Sequence, residues 1–221
     1  GSSFRLAEVE RMISKIDMRQ GRDSKLFERL VERNALAEAD VVRACEKIIS
    51  DVRKNGDKAL IKYTERFDKV KLDSESLKVS GSELESSYDK VDPELVDVIR
   101  KAKANIEKFH LKQKENSWFL AEDDGVILGQ LLRPLEVVGI YVPGGTAALS
   151  SSVLMNAIPA KVAGVSKIVM ATPPRKDGSV NPEILVAAQE AGVDEIYKIG
   201  GAQAIAALAF GTETVPRVDK I

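Results

Sequence analysis

The part of the chain after residue 135 alternates apolar runs with amphipathic segments. Three apolar runs are typical of buried strands, and three segments carry apolar side chains at helical spacing. The order is strand 136–142, helix 150–164, strand 167–172, helix 181–192, strand 194–200 and helix 202–211. Strands that alternate with helices in this way pair in parallel through right-handed crossovers. The pattern therefore predicts an α/β fold with a parallel sheet.

The pattern before residue 136 instead predicts helices followed by one hairpin. Apolar side chains at three-to-four spacing predict helices that begin after Ser24, at Asp40 and at Asp92. Pro93 would occupy the first turn of the last of these helices, where its missing N–H is not needed. Residues 117–134 predict two short strands around an Asp-Asp-Gly turn.

This change of pattern predicts a domain boundary near residue 135. Residues 1–135 would form a helical N-terminal region with a short β-hairpin, part of a domain completed by sequence downstream in the full protein. Residues 136–221 would form a Rossmann-like domain, incomplete at its C-terminus. The sequence "RVDKI" at 217–221 predicts the beginning of a fourth strand. Because domain boundaries seldom fall within a strand, we expect a fragment of a longer protein.

Composition and charge narrow the possible functions. Of 221 residues, 44% are hydrophobic and 30% charged, which is ordinary for a soluble globular protein. The formal net charge of -1 gives no electrostatic case for binding nucleic acid or an anionic membrane. No apolar run approaches the ~20 residues of a membrane span. Cys45 is the single cysteine, which fits the cytoplasmic location that we expect.

The same counts limit metal chemistry within this chain. Cys45 lies on an apolar helical face and is predicted to be a small core side chain. His110, the single histidine, lies near a helix end and is predicted to make a local hydrogen bond. A usual zinc site needs about three or four Cys, His or carboxylate ligands. We therefore predict no metal site within this chain.

Two glycine pairs follow predicted strands. Gly144 and Gly145 come after the first strand of the sheet, and Gly200 and Gly201 come after the third. The carboxyl ends of parallel strands share one edge, where ligands bind. Glycine allows close approach of a ligand and helix N-termini favour phosphate, so a dinucleotide or another phosphorylated ligand is reasonable. Neither standard glycine fingerprint is present, so a plain turn between strand and helix stays open.

Two side chains are placed to reach this edge. Tyr141 ends the first strand, where its ring either stacks on a ligand base or packs in the core. Gln203 lies in the first turn of a helix, where its amide either reaches the crevice or serves in solvation or capping.

Residues 133–221 resemble histidinol dehydrogenases in a long match that is essentially without gaps. The most specific blocks are "GIYVPGG", "VLMNAIPAKVAG", "GGAQAIAALAFGTE" and "VDKI", and "NIEKFHLKQ" at 105–113 is similar to the segment before that domain. The resemblance implies an NAD-dependent, zinc-containing, homodimeric enzyme of histidine biosynthesis with a chain about twice this length. Such an enzyme oxidises L-histidinol through L-histidinaldehyde to L-histidine with two NAD.

The resemblance also assigns residues. It implies that Tyr141 and Gln203 contact NAD, and that Gly144 and Gly145 shape the same turn. The zinc ligands, the glutamate–histidine acid/base pair and a further NAD-contacting asparagine have no matching positions in this chain. We therefore expect no catalytic residue here, and we expect the chain alone to be inactive.

Two other interpretations stay open. An aldehyde-dehydrogenase-like enzyme with a non-standard NAD-binding turn would need a cysteine nucleophile at the edge of the sheet, and Cys45 lies in the wrong region. A non-catalytic nucleotide-binding or assembly module would have a native chain that ends at Ile221.

Overall fold

The structure is a computed structural model that describes residue 19, residues 25–144 and residues 149–221. By its internal contacts the chain divides into two compact units, Gly1–Lys47 and Ile48–Ile221.

The helical region begins with one long helix. Helix α1, Lys25–Asn55, continues through Asp40, so the prediction that a new helix begins at Asp40 is wrong. Asp40 instead forms an ion pair with Arg43, one turn further along the same helix. The residues just before Asp40 are mostly good helix formers without glycine or proline, so nothing ends the helix there. Ser24, the predicted cap of the first helix, lies outside the described residues.

Further helices, a 3-10 turn and a hairpin follow α1. They are α2 (Asp57–Phe67), α3 (Gly81–Glu85), a 3-10 turn (Tyr88–Lys90), α4 (Pro93–Leu111), β1 (Trp118–Ala121) and β2 (Ile127–Gln130). The Asp92 side chain accepts a hydrogen bond from the backbone N–H of Glu94, which confirms the predicted start of α4. Strands β1 and β2 pair antiparallel, which confirms the predicted hairpin. All of their residues are exposed.

The remaining elements form the parallel sheet and its helices. They are β3 (Val137–Tyr141), α5 (Ser150–Ala163), β4 (Lys167–Thr172), α6 (Pro182–Ala191), β5 (Glu195–Lys198) and α7 (Gly201–Phe210). The strands pair in parallel in the order β3-β4-β5, which confirms the predicted α/β fold. Asn181 caps the start of α6, and left-handed glycines end α5 and α6 at Gly164 and Gly192.

The last described residues lie along the free edge of β3. The N–H of Gly139 donates to the carbonyl of Lys220 at 2.8 Å, and the N–H of Asp219 donates to Val137 at 2.8 Å. This parallel bridge agrees with the predicted beginning of a fourth strand. After β3, the chain adds β4 and then β5 on one side of that strand. Its last residues pair with β3 on the opposite side. In doubly wound folds, the ligand crevice lies where the direction reverses in this way.

Alternate strand residues point into two hydrophobic cores, one on each face of the sheet. Ile168 and Met170 pack with α5 and α6, whereas Val169 and Ala171 pack with α7 and α2. Helix α4 joins the first core, so residues from the helical region also cover the sheet. The boundary near residue 135 stays a prediction about the domains of the whole protein.

Among the helices of the described residues, none has the length and apolar character that a bilayer span requires.

Candidate cofactor site

The carboxyl edge of the sheet gathers three turns. Gly144 follows β3, Pro173 follows β4 directly, and Gly200 precedes α7 after β5. Gly145, the other glycine predicted to shape the first turn, lies outside the described residues.

Tyr141 connects the first of these turns to the third. Its hydroxyl oxygen accepts a hydrogen bond from the backbone N–H of Gly201 at 3.1 Å. Gly201 has a φ of 61°, in the left-handed region that glycine adopts easily. The bond satisfies one of the backbone N–H groups that the start of a helix leaves without a partner. It therefore fixes the phenol of the half-buried Tyr141 over the start of α7.

Gln203 is buried beside the same turn. Its side chain is 1% exposed, and neither amide atom has a hydrogen-bond partner among the described residues. Its Oε1 lies only 2.9 Å from the position that a Cβ on Gly201 would occupy, so the amide turns back toward the glycine. Buried polar groups in native proteins are nearly always hydrogen-bonded. The unpaired amide thus marks a place where a ligand or a water molecule can supply the missing partner.

Positions 144 and 200 require glycine because a side chain would not fit there. Neither position requires an unusual backbone conformation. Neither has a φ in the left-handed region, and Gly200 is extended. A Cβ on Gly144 would lie 2.5 Å from Cγ of Pro173, and a Cβ on Gly200 would lie 2.7 Å from its Cβ. The ring of Pro173 therefore takes the space that side chains at both turns would fill.

Pro173 was not found by the sequence analysis. The available signal was its position, since it is the first residue after the middle strand and comes between the two glycine pairs in the chain. Its contacts with both turns depend on the strand order, which sequence spacing alone does not give.

Two charged or polar side chains lie where β4 and β5 end. Lys198 is buried and forms an ion pair with Glu83 of α3 at 2.6 Å, so its charge is already compensated. Thr172 lies opposite Lys198 in the strand register, and its buried hydroxyl has no partner among the described residues. Buried polar atoms without a partner among the described residues are thus found on Thr172, at the end of β4, and on Gln203, in the first turn of α7.

His110 makes a hydrogen bond to a residue close to it in the chain. His110 lies near the end of α4, and its Nδ1 is 2.6 Å from Oε1 of Gln113. This confirms the predicted local hydrogen bond. In the part of the chain that the structure describes, no three His, Cys, Asp or Glu side chains come together as a metal site needs. Where the zinc ligands of the whole protein lie stays a prediction.

The family of the chain follows from comparison with known proteins. The family model for histidinol dehydrogenase matches residues 31–221, from the long first helix to the last residue. The chain belongs to the histidinol dehydrogenase family. This confirms the resemblance carried by "GIYVPGG" and "GGAQAIAALAFGTE".

Individual histidinol dehydrogenases match over most of the chain. The protein named histidinol dehydrogenase from Clostridium acetobutylicum is 56% identical over 197 residues, which cover 89% of this chain and 45% of that protein. The protein of the same name from Geobacillus kaustophilus is 58% identical over 179 residues, which cover 81% of this chain and 42% of that protein. The chain thus spans less than half the length of these relatives.

A solved histidinol dehydrogenase shares the fold. The crystal structure of the Elizabethkingia anophelis protein matches with a TM-score of 0.77 and 44% sequence identity. The match covers 82% of this chain and 41% of that chain. The α/β fold predicted for this family is therefore confirmed.

Four residues of this family member were predicted to bind the cofactor. The structure brings Tyr141 and Gln203 together at Gly201, and it places Gly144 against Pro173. Gly145 lies outside the described residues. That these residues contact NAD stays a prediction.

Proposed function

We propose that this chain is the N-terminal half of a histidinol dehydrogenase. The full-length protein would oxidise L-histidinol through L-histidinaldehyde to L-histidine with two NAD, in histidine biosynthesis. Family membership and relatives that are more than 50% identical support the proposal. The observation that carries it is the hydrogen bond from Gly201 to Tyr141, which lies at the carboxyl edge of the sheet near the unpaired amide of Gln203.

The described residues fit a dinucleotide at this edge. The Gln203 amide offers both a donor and an acceptor without a partner among the described residues. The backbone N–H groups at the start of α7 favour a phosphate group. Gly144 lets the turn after β3 pack directly against Pro173, next to the start of α7. When bound, NAD supplies the hydride acceptor of the proposed oxidation.

The role of this half is to bind and orient the cofactor. The ring of Tyr141 provides an apolar face, and the N–H of Gly201 holds its hydroxyl in one position. That hydroxyl can donate its own proton to a bound ligand at the same time. Proton transfer and zinc binding are assigned to residues that follow in the full-length protein, so the 221-residue chain alone is proposed to be inactive.

We extend the proposal to the setting of the full-length protein. By the same family resemblance, it would be a cytoplasmic homodimer that holds zinc with ligands beyond this chain. We expect the protein to bind neither nucleic acid nor a membrane.

Calorimetric titration with NAD tests the cofactor site. We expect the 221-residue chain to bind NAD more weakly than the full-length protein does. Replacing Tyr141 by Phe should weaken binding about threefold to tenfold, because the acceptor of the Gly201 N–H is lost. The matched control is Tyr88→Phe, which removes the 3.1 Å hydrogen bond of a tyrosine hydroxyl to Glu190, a residue of α6.

Each part of the proposal can fail separately. If neither the chain nor the full-length protein binds NAD, the cofactor assignment is wrong. If Tyr88→Phe weakens binding as much as Tyr141→Phe, the crevice is not the binding site. If the purified chain reduces NAD with histidinol, the proposed inactivity is wrong.

A further inference from the structure

Pro173 occupies a central place at the carboxyl edge of the sheet. It follows β4, the middle strand, and its ring lies between the turn after β3 and the turn after β5. The ring approaches Gly144 through Cγ and Gly200 through Cβ. One side chain thus contacts both turns that frame the proposed crevice.

The contacts with Pro173 leave no space for a side chain on either glycine. Approaches of 2.5 and 2.7 Å are shorter than real Cβ contacts, so an added Cβ would move either the ring or the turn. The turn at Gly144 comes three residues after Tyr141, and Gly200 directly precedes Gly201. The separation set by Pro173 is therefore the separation across which the Tyr141–Gly201 hydrogen bond forms.

Proline suits this place for two reasons. Its ring fixes φ, so the chain leaves β4 in one direction. It also has no N–H, so no backbone donor remains unpaired at the position where the strand ends. Pro174, the next residue, is not among the atoms that crowd either glycine.

We propose that Pro173 is a positioning residue of the cofactor crevice. Its ring holds the turn after β3 and the turn before α7 at the separation that the Tyr141–Gly201 hydrogen bond requires. The link to NAD affinity rests on the proposed function, whereas the link to the hydrogen bond does not. Pro173 acts through these two turns and is given no contact with the cofactor.

The first test compares Pro173→Ala with Pro174→Ala. Both variants lose one proline and so gain similar freedom in the unfolded chain. Hydrogen exchange of the Gly201 amide, measured by NMR without NAD, reports whether the bond to Tyr141 persists. We expect Pro173→Ala to exchange about tenfold faster at Gly201 than Pro174→Ala or the wild type. NAD affinity should fall about tenfold for Pro173→Ala alone.

The second test uses the different atoms that crowd each glycine. Gly144→Ala would clash with Cγ of Pro173, which alanine at 173 lacks. Gly200→Ala would clash with Cβ of Pro173, which alanine keeps. We therefore expect Pro173→Ala to relieve the loss of thermal stability caused by Gly144→Ala, but not the loss caused by Gly200→Ala. This crossed result depends on the geometry of the ring and not on overall weakening of the fold.

Several outcomes would overturn the proposal. Equal Gly201 exchange in Pro173→Ala and Pro174→Ala would show that the ring does not hold the turns. Equal relief of both glycine variants, or of neither, would contradict the crowding geometry. If the wild-type chain and the full-length protein both fail to bind NAD, the proposed function fails, while the exchange and stability tests still decide the role of Pro173.

Discussion

At the residue scale, we expect the polar side chain of Gln203 to lower the stability of the fold and to favour the binding of a ligand. Its amide is almost fully buried, with no partner among the described residues. Leaving a buried polar group unpaired costs about 1–3 kcal/mol. An apolar side chain of similar size at this position would avoid that cost. The polar residue is therefore better explained by a ligand than by the stability of the fold.

Gln203→Met should raise the thermal stability of the chain and weaken its binding of NAD. The gain in the free energy of unfolding should be about 1–3 kcal/mol, the cost of the unpaired amide that is removed. Thermal unfolding and calorimetric titration measure the two effects. The control is Gln189→Met on the exposed face of α6, which should change neither. A fall in stability for Gln203→Met would show that water or protein groups already pair the amide.

Glu195, the first residue of β5, forms ion pairs with two lysines. Burial alone would raise the pKa of its carboxyl group, but hydrogen bonds from Lys78 and Lys167 outweigh burial and hold the pKa below the ordinary 4.5. Lys78 lies 2.7 Å from the carboxylate and Lys167 lies 3.0 Å from it. The hydroxyl of Tyr197 also donates to it at 3.2 Å. The folded chain thus favours the ionised form.

This lowered pKa gives a pH dependence of stability. A carboxyl group with a lower pKa in the folded state stabilises the fold above its unfolded pKa, and the effect is lost as pH falls through the folded value. Wild-type stability should therefore decline below about pH 4.5 more steeply than that of Glu195→Gln. Urea unfolding across this range measures the difference. Glu107→Gln, at an exposed position of α4, should follow the wild type; equal slopes for all three proteins would contradict the prediction.

At the element scale, helix and strand bounds were predictable where local signals mark them. Asn181 and Gly192 bracket α6 in both sequence and structure, because a cap and a left-handed glycine act within one turn. The start proposed at Asp40 failed for the complementary reason: aspartate also suits an exposed helix interior when Arg43 follows one turn later.

The candidate site was only partly predictable. Tyr141 and Gln203 could be placed because parallel strands bring their carboxyl ends to one edge. The role of Pro173 could not, since it depends on contacts between turns that are far apart in the chain. For the same reason, Gly144 was assigned to ligand approach, whereas the structure supplies a packing reason for the glycine.

The hairpin of β1 and β2 is apolar on both faces. Phe119 and Ile127 lie on one face and Leu120 and Leu128 on the other, and all four are exposed. Strands with apolar residues on both sides are usually buried on both sides. An isolated two-stranded hairpin is also only marginally stable in water. A second copy of the chain can pack against these faces, and its backbone can pair with the free strand edges.

The 221-residue chain should therefore self-associate through this hairpin. Ile127 is 70% exposed, and Ile127→Lys should shift sedimentation toward the monomer by placing charge on the ribbon. Val98→Lys, at an exposed apolar position of α4, introduces the same charge elsewhere and should leave association unchanged. A wild-type chain that stays monomeric at every concentration would contradict this prediction.

At the scale of the whole molecule, the sheet is stabilised by its crossover helices and also by helix α4, which precedes it in the chain. Val96 and Ile99 of α4 are buried in the same core as β4, α5 and α6. The residues from Ile48 to Ile221 accordingly form one compact unit. The alternation of strands and helices predicted the sheet, but periodicity within a helix does not say which partner its apolar face meets.

The contact of Pro173 with Gly144 and Gly200 also bears on how such sequences can evolve. A larger residue at position 144 is sterically compatible with a small residue at 173, whereas a larger residue at 200 meets the Cβ that every residue except glycine carries. Positions 144 and 173 should thus change together among related proteins, while position 200 should stay glycine unless glycine itself follows β4. At this edge of the sheet, a substitution at position 144 therefore requires a second substitution at position 173. Position 200 tolerates no side chain as long as residue 173 has a Cβ.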